Sequence, residues 1–430
     1  MHKRPLSARL CRWGVVAALA STAVTVSACN DLLDVELRGR IPTERLDDPT
    51  LASVLVTGVI GDFECAYNNY TGGNSVHSDE YETANSNTPL LSWGERTIGG
   101  ADDDYAVGGC NNSGNFANGF SNFGLQVPMH AARFQAEDVF ARLSGWTDAQ
   151  VANRTAMMAT VRAYAGFTYT LFGETYCSIA FDWGAPQTPA ASLAIAEARF
   201  GEAITLAQTA NNTAALDLAR VGLARARMDL KKWAEASAVA ALVTPGFSKT
   251  ADRGVETDRR WNKVFYLATD LRAFTIGDAY RTMNDVRVPV LDTHSPAFNT
   301  SVNLWINTKY TSRSSPIRLA SFKEAQLILA EAQAQQALVS AAQQTINAYR
   351  AGTGLGPLSF ANQADAISQI IEERRRELSF EGGHRVNDLL RYQLPWKGAN
   401  GSTAGANPYS GRPYGQTTCW PLPIKEASGV

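Results

Sequence analysis

Small and apolar residues that return every third or fourth position constrain this chain most, because that spacing lays them along one stripe of an α-helix. Ala132, Ala136, Val139 and Leu143 form such a stripe over 129–143. The stretch 155–172 predicts a second helix, with Gly173 as its C-terminal stop. Three more are predicted over about 191–210, 213–230 and 232–243. Ala219, Leu223, Ala226 and Leu230 share a face in one of them, and Ala234, Ala238 and Ala241 in the next, which starts at Trp233 and closes at Pro245-Gly246. Helices resume at about 317–338, where Phe322, Ala325, Leu329 and Ala332 align, and continue at 339–351 and 363–381. In the last, Ile367, Ile371, Arg374 and Leu378 line up. The chain reads as all-α.

Two stretches break the rhythm. Residues 61–125 are rich in Gly, Asn, Ser, Asp and Tyr, as in Tyr67-Asn68-Asn69-Tyr70-Thr71-Gly72-Gly73, and read as long loops. Residues 245–315 are irregular, with short β-like pieces at Val286-Arg287-Val288 and Asn303-Leu304-Trp305-Ile306. Loops of this length in a folded domain usually carry function. The helix pairs between 191 and 243 resemble a tetratricopeptide unit, with Gly222 and alanines near the expected places but several consensus aromatics missing. A generic helical hairpin explains the same pattern.

The N-terminus fixes the compartment. Lys3, Arg4, Arg9 and Arg12 precede an apolar run from Trp13 to Val26, with no acidic residue among the first 28. That is a secretory signal peptide, and the run is shorter than the roughly 20 apolar residues of a spanning helix. Its end, Val26-Ser27-Ala28-Cys29, resembles the bacterial lipobox, which would make Cys29 a lipidated first residue. One acyl chain holds a membrane marginally and several hold it permanently. Residues 29–60 then read as a lipidated stalk and first helix, and 61–430 as the helical domain. No second apolar run is evident that is long enough to span a bilayer.

Composition narrows the partners. At 45% hydrophobic and 19% charged residues, the chain is that of a globular protein with a substantial core. The formal charge of -2 drops by four to -6 once the signal peptide leaves. The one basic run in the mature chain, Arg374-Arg375-Arg376, is interleaved with glutamates, so nucleic acid is disfavoured as a partner. Cys65, Cys110, Cys177 and Cys419 suggest two disulfides, with three connectivities open. The expected pairing is Cys65–Cys110, closing the polar loops onto their own helix, and Cys177–Cys419, tying the tail to the body. Without a CxxC pair or a histidine cluster, neither metal nor cofactor is expected. Asp102-Asp103-Asp104 reads as a solvated turn, since a calcium loop wants alternate ligands and a closing acid.

The segment 370–391 is dense in charge. Glu372 and Arg376 stand at i, i+4, the favourable order for a helical ion pair. Glu377 and Glu381 lie further on, Gly382-Gly383 ends the helix, and Arg385, Asp388 and Arg391 share a face of the next. Among Leu378, Phe380, Leu389 and Leu390, these charges predict a partly buried ionic network joining two helices, which specifies geometry more than it stabilises. Glu377 and Glu381 are read as one turn apart on one helix, so they cannot flank a sugar bond as acid and base. No G-x-S-x-G nucleophile motif is present. The chain is not expected to be an enzyme.

This segment closely resembles the C-terminal signature of the SusD/RagB family of nutrient-uptake lipoproteins. Cys29-Asn30-Asp31-Leu32-Leu33-Asp34-Val35 is similar to the family's mature start, 320–332 to its helix bearing two glutamates, 346–355 to the next helix and turn, and 421–426 to the terminal segment. The resemblance implies tetratricopeptide-like helix pairs with loop-rich insertions and minor β elements. It also implies a lipid anchor in the outer membrane, facing outward, and delivery of glycans, or sometimes peptides, to a TonB-dependent (SusC-like) receptor. A protein-binding scaffold is the other reading. The ligand is expected on a shallow loop-rich face, with Trp93 as the chief stacking platform. Tyr67, Tyr70, Tyr81 and Trp305 are further candidates, and Asn85 or Asn87 polar partners. Lipid anchoring beside a membrane receptor would make even a weak interface effective.

Overall fold

The computed structural model describes residues 42–85, 88–99, 104–110, 123–398 and 405–424. The signal peptide, the lipidation site at Cys29, Asn87 and Asp102-Asp103 lie outside the described residues. Ahead of the main body, Pro42–Asp48 holds one 3-10 turn, Thr43–Arg45. The body, Pro49–Val430, begins with α1 (Ala52–His77). A succession of long helices follows: α2 (Gln126–Gly145), α3 (Arg154–Thr175), α4 (Pro189–Thr209), α5 (Thr213–Asp229) and the shorter α6 (Trp233–Ala240). Each packs on the one before. After an irregular stretch come α7 (Phe322–Gln335), α8 (Val339–Gly352), α9 (Gln363–Glu377) and α10 (His384–Arg391).

Local chemistry sets the helix starts. Thr188, Asn212, Ser321 and Asn362 each accept the backbone N–H three residues on, satisfying a donor the helix leaves unpaired. Pro189 opens α4, where its missing N–H is not needed. The close pairing of α3, α4 and α5 rests on glycine. A Cβ built on Gly222 would lie 2.2 Å from the Phe200 ring, and one on Gly166 2.7 Å from it. Phe200 is thus clamped between two bare backbones, which explains the glycine in the repeat-like pattern. A second core forms where α7, α8 and α9 meet, built of Leu327, Ala330, Ile346, Tyr349, Ile370 and Leu378.

The region read as loops is the largest departure. Residues 61–77 are the second half of α1, and from Phe63 to His77 every residue is buried. Its asparagines anchor other segments. Asn68 donates to Trp261 O and accepts from Lys263 N. Asn69 donates to Gly109 O and Gly124 O. Asn74 accepts from Trp420 Nε1 at 3.0 Å. A Cβ on Gly73 would meet Leu125 at 2.8 Å, so the glycine is there for contact and not for a turn. Helix α1, with its preceding turn, is also long and apolar enough by composition to cross a membrane, contrary to the expectation of no second such run. Its buried, hydrogen-bonded asparagines make it the body's core helix.

Short antiparallel pairs cover the rest: β1 (Tyr81–Thr83) with β3 (Phe274–Ile276), β2 (Ser248–Ala251) with β6 (Ile317–Ser321), and β4 (Val290–Pro296) with β5 (Asn303–Asn307). Val286-Arg287-Val288 is a turn and not a strand. The helix expected from 317 begins as β6, since Ser321 caps α7 only there. Disulfides join Cys65 to Cys110 and Cys177 to Cys419, the pairs expected. Beside the second, Cys177 N donates to Trp420 O and Trp420 N to Thr175 O, fixing the tail on the body.

Candidate functional site

Five of the six described ligand candidates are buried side chains. Trp93 is 1% exposed and sits edge-on against Trp420 with ring centroids 5.4 Å apart. Tyr67 donates to Arg318 O at 2.6 Å, Tyr81 accepts from Asn307 Nδ2, and Tyr70 is enclosed against the Gly383 backbone. Asn85 is buried as well. None of these offers a ring or amide to solvent: the tyrosines and Trp93 belong to α1, to β1 and to the short helix Thr88–Glu95 that packs on α1, and Asn85 lies just after β1. These assignments are corrected accordingly.

Trp305 differs. It lies on β5, directly opposite Asp292 on β4, and is partly exposed. Leu304, one residue back, points to the other face, into a cluster with Ala84, Ala297 and Val302. The strand is held by Thr275 of β3, whose hydroxyl accepts from Trp305 N and donates to Asn303 O, both at 2.8 Å. The Arg281 guanidinium stands 5.7 Å from the Trp305 ring centroid, fixed by Asp278 at 2.6 Å and by Ile276 O. Exposed His294 follows Asp292 and donates its backbone N–H to that carboxylate. An aromatic face thus sits among a guanidinium, two carboxylates and an imidazole on a surface platform. Such a set suits a ligand with apolar faces and many hydroxyls.

The ionic network is larger than the sequence suggested. Glu381 lies beyond the end of α9, in the turn, so it and Glu377 are not on one helix. Both converge on Arg318 of β6, at 2.8 and 3.0 Å. The turn needs Gly382 and Gly383, at φ 51° and 71°. Arg374, read as part of an apolar stripe, is 1% exposed and reaches Asp388 and Glu331. Arg391 binds the same two acids at 2.5 Å each, and Arg385 binds Asp79 at 2.6 Å. Glu372–Arg376 forms at 2.9 Å but at the surface. Burial pushes the Asp388 carboxyl up, yet Arg374 and Arg391 outweigh it and hold it below the usual range. At Glu324, burial wins over Arg225 and lifts the carboxyl to about 7. Arg318, Arg374, Arg385 and Arg391 are each paired with buried acids, so the network holds architecture. Arg225, which pairs with Glu174 and Glu324, and Asp79, the partner of Arg385, went unread because each lies far along the chain from 370–391.

Among the described residues no cluster of three or more His, Cys, Asp or Glu side chains could hold a metal. Residues 297–427 match the SusD family, a span running from the β4–β5 connection through α10 into the tail. No curated protein matches the chain. Among solved structures, a SusD superfamily protein from Bacteroides vulgatus is similar at TM-score 0.65 and 14% identity, covering 89% of this chain and 97% of its own. A SusD superfamily protein from Parabacteroides distasonis gives TM-score 0.60 at 12% identity, covering 90% and 98%. A SusD-like carbohydrate binding protein from Bacteroides vulgatus gives 0.59 at 16%, covering 81% and 84%. Identities this low speak for the fold.

Proposed function

We propose that this chain, a member of the SusD family by its C-terminal segment and its fold, is a lipid-anchored surface protein that captures a glycan. It would pass that glycan to a TonB-dependent receptor of the outer membrane. The observation that carries the glycan reading is the Trp305 platform. A pyranose has apolar C–H faces that stack on an indole, and hydroxyls that pair with guanidinium and carboxylate. A structural relative described as carbohydrate binding supports the same class. The lipobox at Cys29 supports the anchor. A binder with no translocation machinery of its own needs a second protein to move its ligand. Confinement to one membrane plane raises their mutual concentration enough for a modest interface.

Affinity electrophoresis through gels containing soluble polysaccharides tests the capture step. Retardation without release of product is the expected outcome, and Trp305→Ala should weaken it at least tenfold while the melting temperature holds. Released oligosaccharides would point to an enzyme instead. Purification from mild detergent tests the partner, where co-isolation with an outer-membrane β-barrel is expected. Recovery of the chain alone, with no retardation on any glycan, leaves the scaffold reading standing.

A further inference from the structure

Trp183 is the one described tryptophan that stands mostly in solvent, 81% exposed, while Trp93 and Trp420 are buried. It sits at the tip of a short hairpin between α3 and α4, closed by paired hydrogen bonds between Ile179 and Gln187. Two residues before that bridge, Cys177 is tied to Cys419. Asp182 and Trp183 both adopt left-handed backbone, at φ 52° and 60°. Two successive non-glycine residues there are uncommon and persist only when the surroundings hold them. Here the hold is visible. Arg133 of α2 grips Asp182 with two hydrogen bonds, at 2.5 and 3.0 Å, and lies 5.1 Å over the Phe181 ring. Phe181 in turn packs edge-on against Tyr169 and Phe172. The exposed indole is therefore presented by a rigid mount.

It faces a cavity of about 410 Å³ whose floor is the N-terminal half of α2. Val127, His130, Ala131 and Phe134 come round at helical spacing, and Phe134 is itself 60% exposed. That size falls within the roughly 300–1,000 Å³ of small-molecule sites. Val127 and Ala131 also line an adjoining cavity of about 180 Å³, bounded by Pro128, Gly109-Cys110 and the Asp62–Arg259 ion pair. The two share Val127 and Ala131 as a common wall. The larger is a groove that follows α2 from Val127 to Phe134, roughly 10 Å at 1.5 Å per residue, longer than a single sugar ring.

We infer that this groove is a second glycan-binding site, separate from the Trp305 platform, which takes an extended oligosaccharide with one ring stacked on Trp183. The inference rests on the glycan reading proposed above. Polarity selects the class. In the Arg133–Asp182 pair the cation is covered and the carboxylate stands out, with side chains 7% and 67% exposed. The groove thus offers a fixed acceptor beside an aromatic face. An anionic ligand would meet that carboxylate unfavourably. A purely apolar one would strip water from it without replacing the hydrogen bonds. A neutral chain of sugar rings supplies both hydroxyl donors for Asp182 and C–H faces for Trp183 and Phe134.

The test is affinity electrophoresis of the full chain in detergent, through gels of xylan, laminarin, amylopectin, galactomannan or pectic galactan. At least one should retard the wild type, and Trp183→Ala should weaken that retardation at least tenfold with the melting curve unchanged. Trp183→Tyr, which keeps an aromatic face, should retain most of it, and Phe134→Ala should weaken it if Trp183→Ala proves unstable. Unchanged retardation in both alanine variants overturns the inference. If Trp305→Ala still abolishes binding in that case, the proposed function survives and only the second site falls. No retardation of the wild type on any of the five defeats both.

Discussion

The second half of α1 and the hairpin at 179–187 are opposites in composition and in fate. Residues 63–77 carry four asparagines or glutamates, two tyrosines and a glycine pair, and are wholly buried. The hairpin holds Phe181 and Trp183 in an otherwise short link, and its tryptophan ends in solvent. Polar character alone does not place a segment outside, nor aromatic character inside. What decides is whether partners exist. Asn68, Asn69 and Asn74 enter the core because loops at 109, 124, 261 and 420 deliver backbone or indole groups to them. Trp183 stays out because Arg133 and two left-handed residues hold the turn that carries it.

The strongest way to break this comparison is to treat Trp93 as the sequence did, as a surface platform. Packed against Phe123 and Trp420, it should cost about 3–5 kcal/mol when replaced by alanine. Denaturant unfolding reads this directly. A Trp93→Ala protein that unfolds at the wild-type midpoint and loses glycan binding would return Trp93 to the surface and undo the contrast with Trp183.

Much of the architecture was legible because helix stripes are local. Ala132 to Leu143, Ala219 to Ala226 and Phe322 to Ala332 all fall in helices, since a 3.6-residue period can be seen in any short window. The α1 core could not be read this way, for its signal is complementarity with segments up to several hundred residues distant. Arg374 illustrates the same limit: its place in an apolar stripe was visible and Asp388 was read into a network joining two helices, but that Arg374 meets Asp388, with Glu331 of a third helix beside them, was not. Of the site, Trp305 was reachable because a strand pattern surrounds it. Trp183 was missed, since a lone aromatic in a link carries no period, and Asp182, Gly184 and Pro186 around it mark only a turn.

Two carboxylates sharpen the comparison electrostatically. Asp182, largely exposed, is held below the usual range by hydrogen bonds from Arg133. Glu80, just after α1, is lifted to about 8 by burial, which outweighs the hydrogen bond it accepts from Phe380 N and is reinforced by Asp79. The folded state therefore keeps a proton that the unfolded chain releases above about 4.5. That contribution is complete below the unfolded value and is lost as pH rises through 8. Glu80→Gln retains an oxygen for Phe380 and cannot ionise. Between pH 6 and 8 the wild type should lose about 2 kcal/mol more stability than this variant. Parallel curves from urea titrations at the two pH values would show that Glu80 ionises like an ordinary glutamate.

The smallest effect concerns the hairpin itself. If Trp183 is mounted for contact and not for folding, the fold should gain by removing it in the right way. Alanine keeps the Cβ that makes φ 60° unfavourable, whereas glycine removes it. A left-handed residue with a Cβ costs roughly 1–2 kcal/mol, of which glycine's greater freedom in the unfolded chain takes back a part. Trp183→Gly should accordingly be more stable than Trp183→Ala by about 1 kcal/mol, and Trp183→Ala within about 0.5 kcal/mol of the wild type, as for other surface positions. Thermal unfolding of the three proteins side by side resolves these differences. A large loss in both variants would mean the indole packs on the body after all, and the contrast with α1 would then be one of degree.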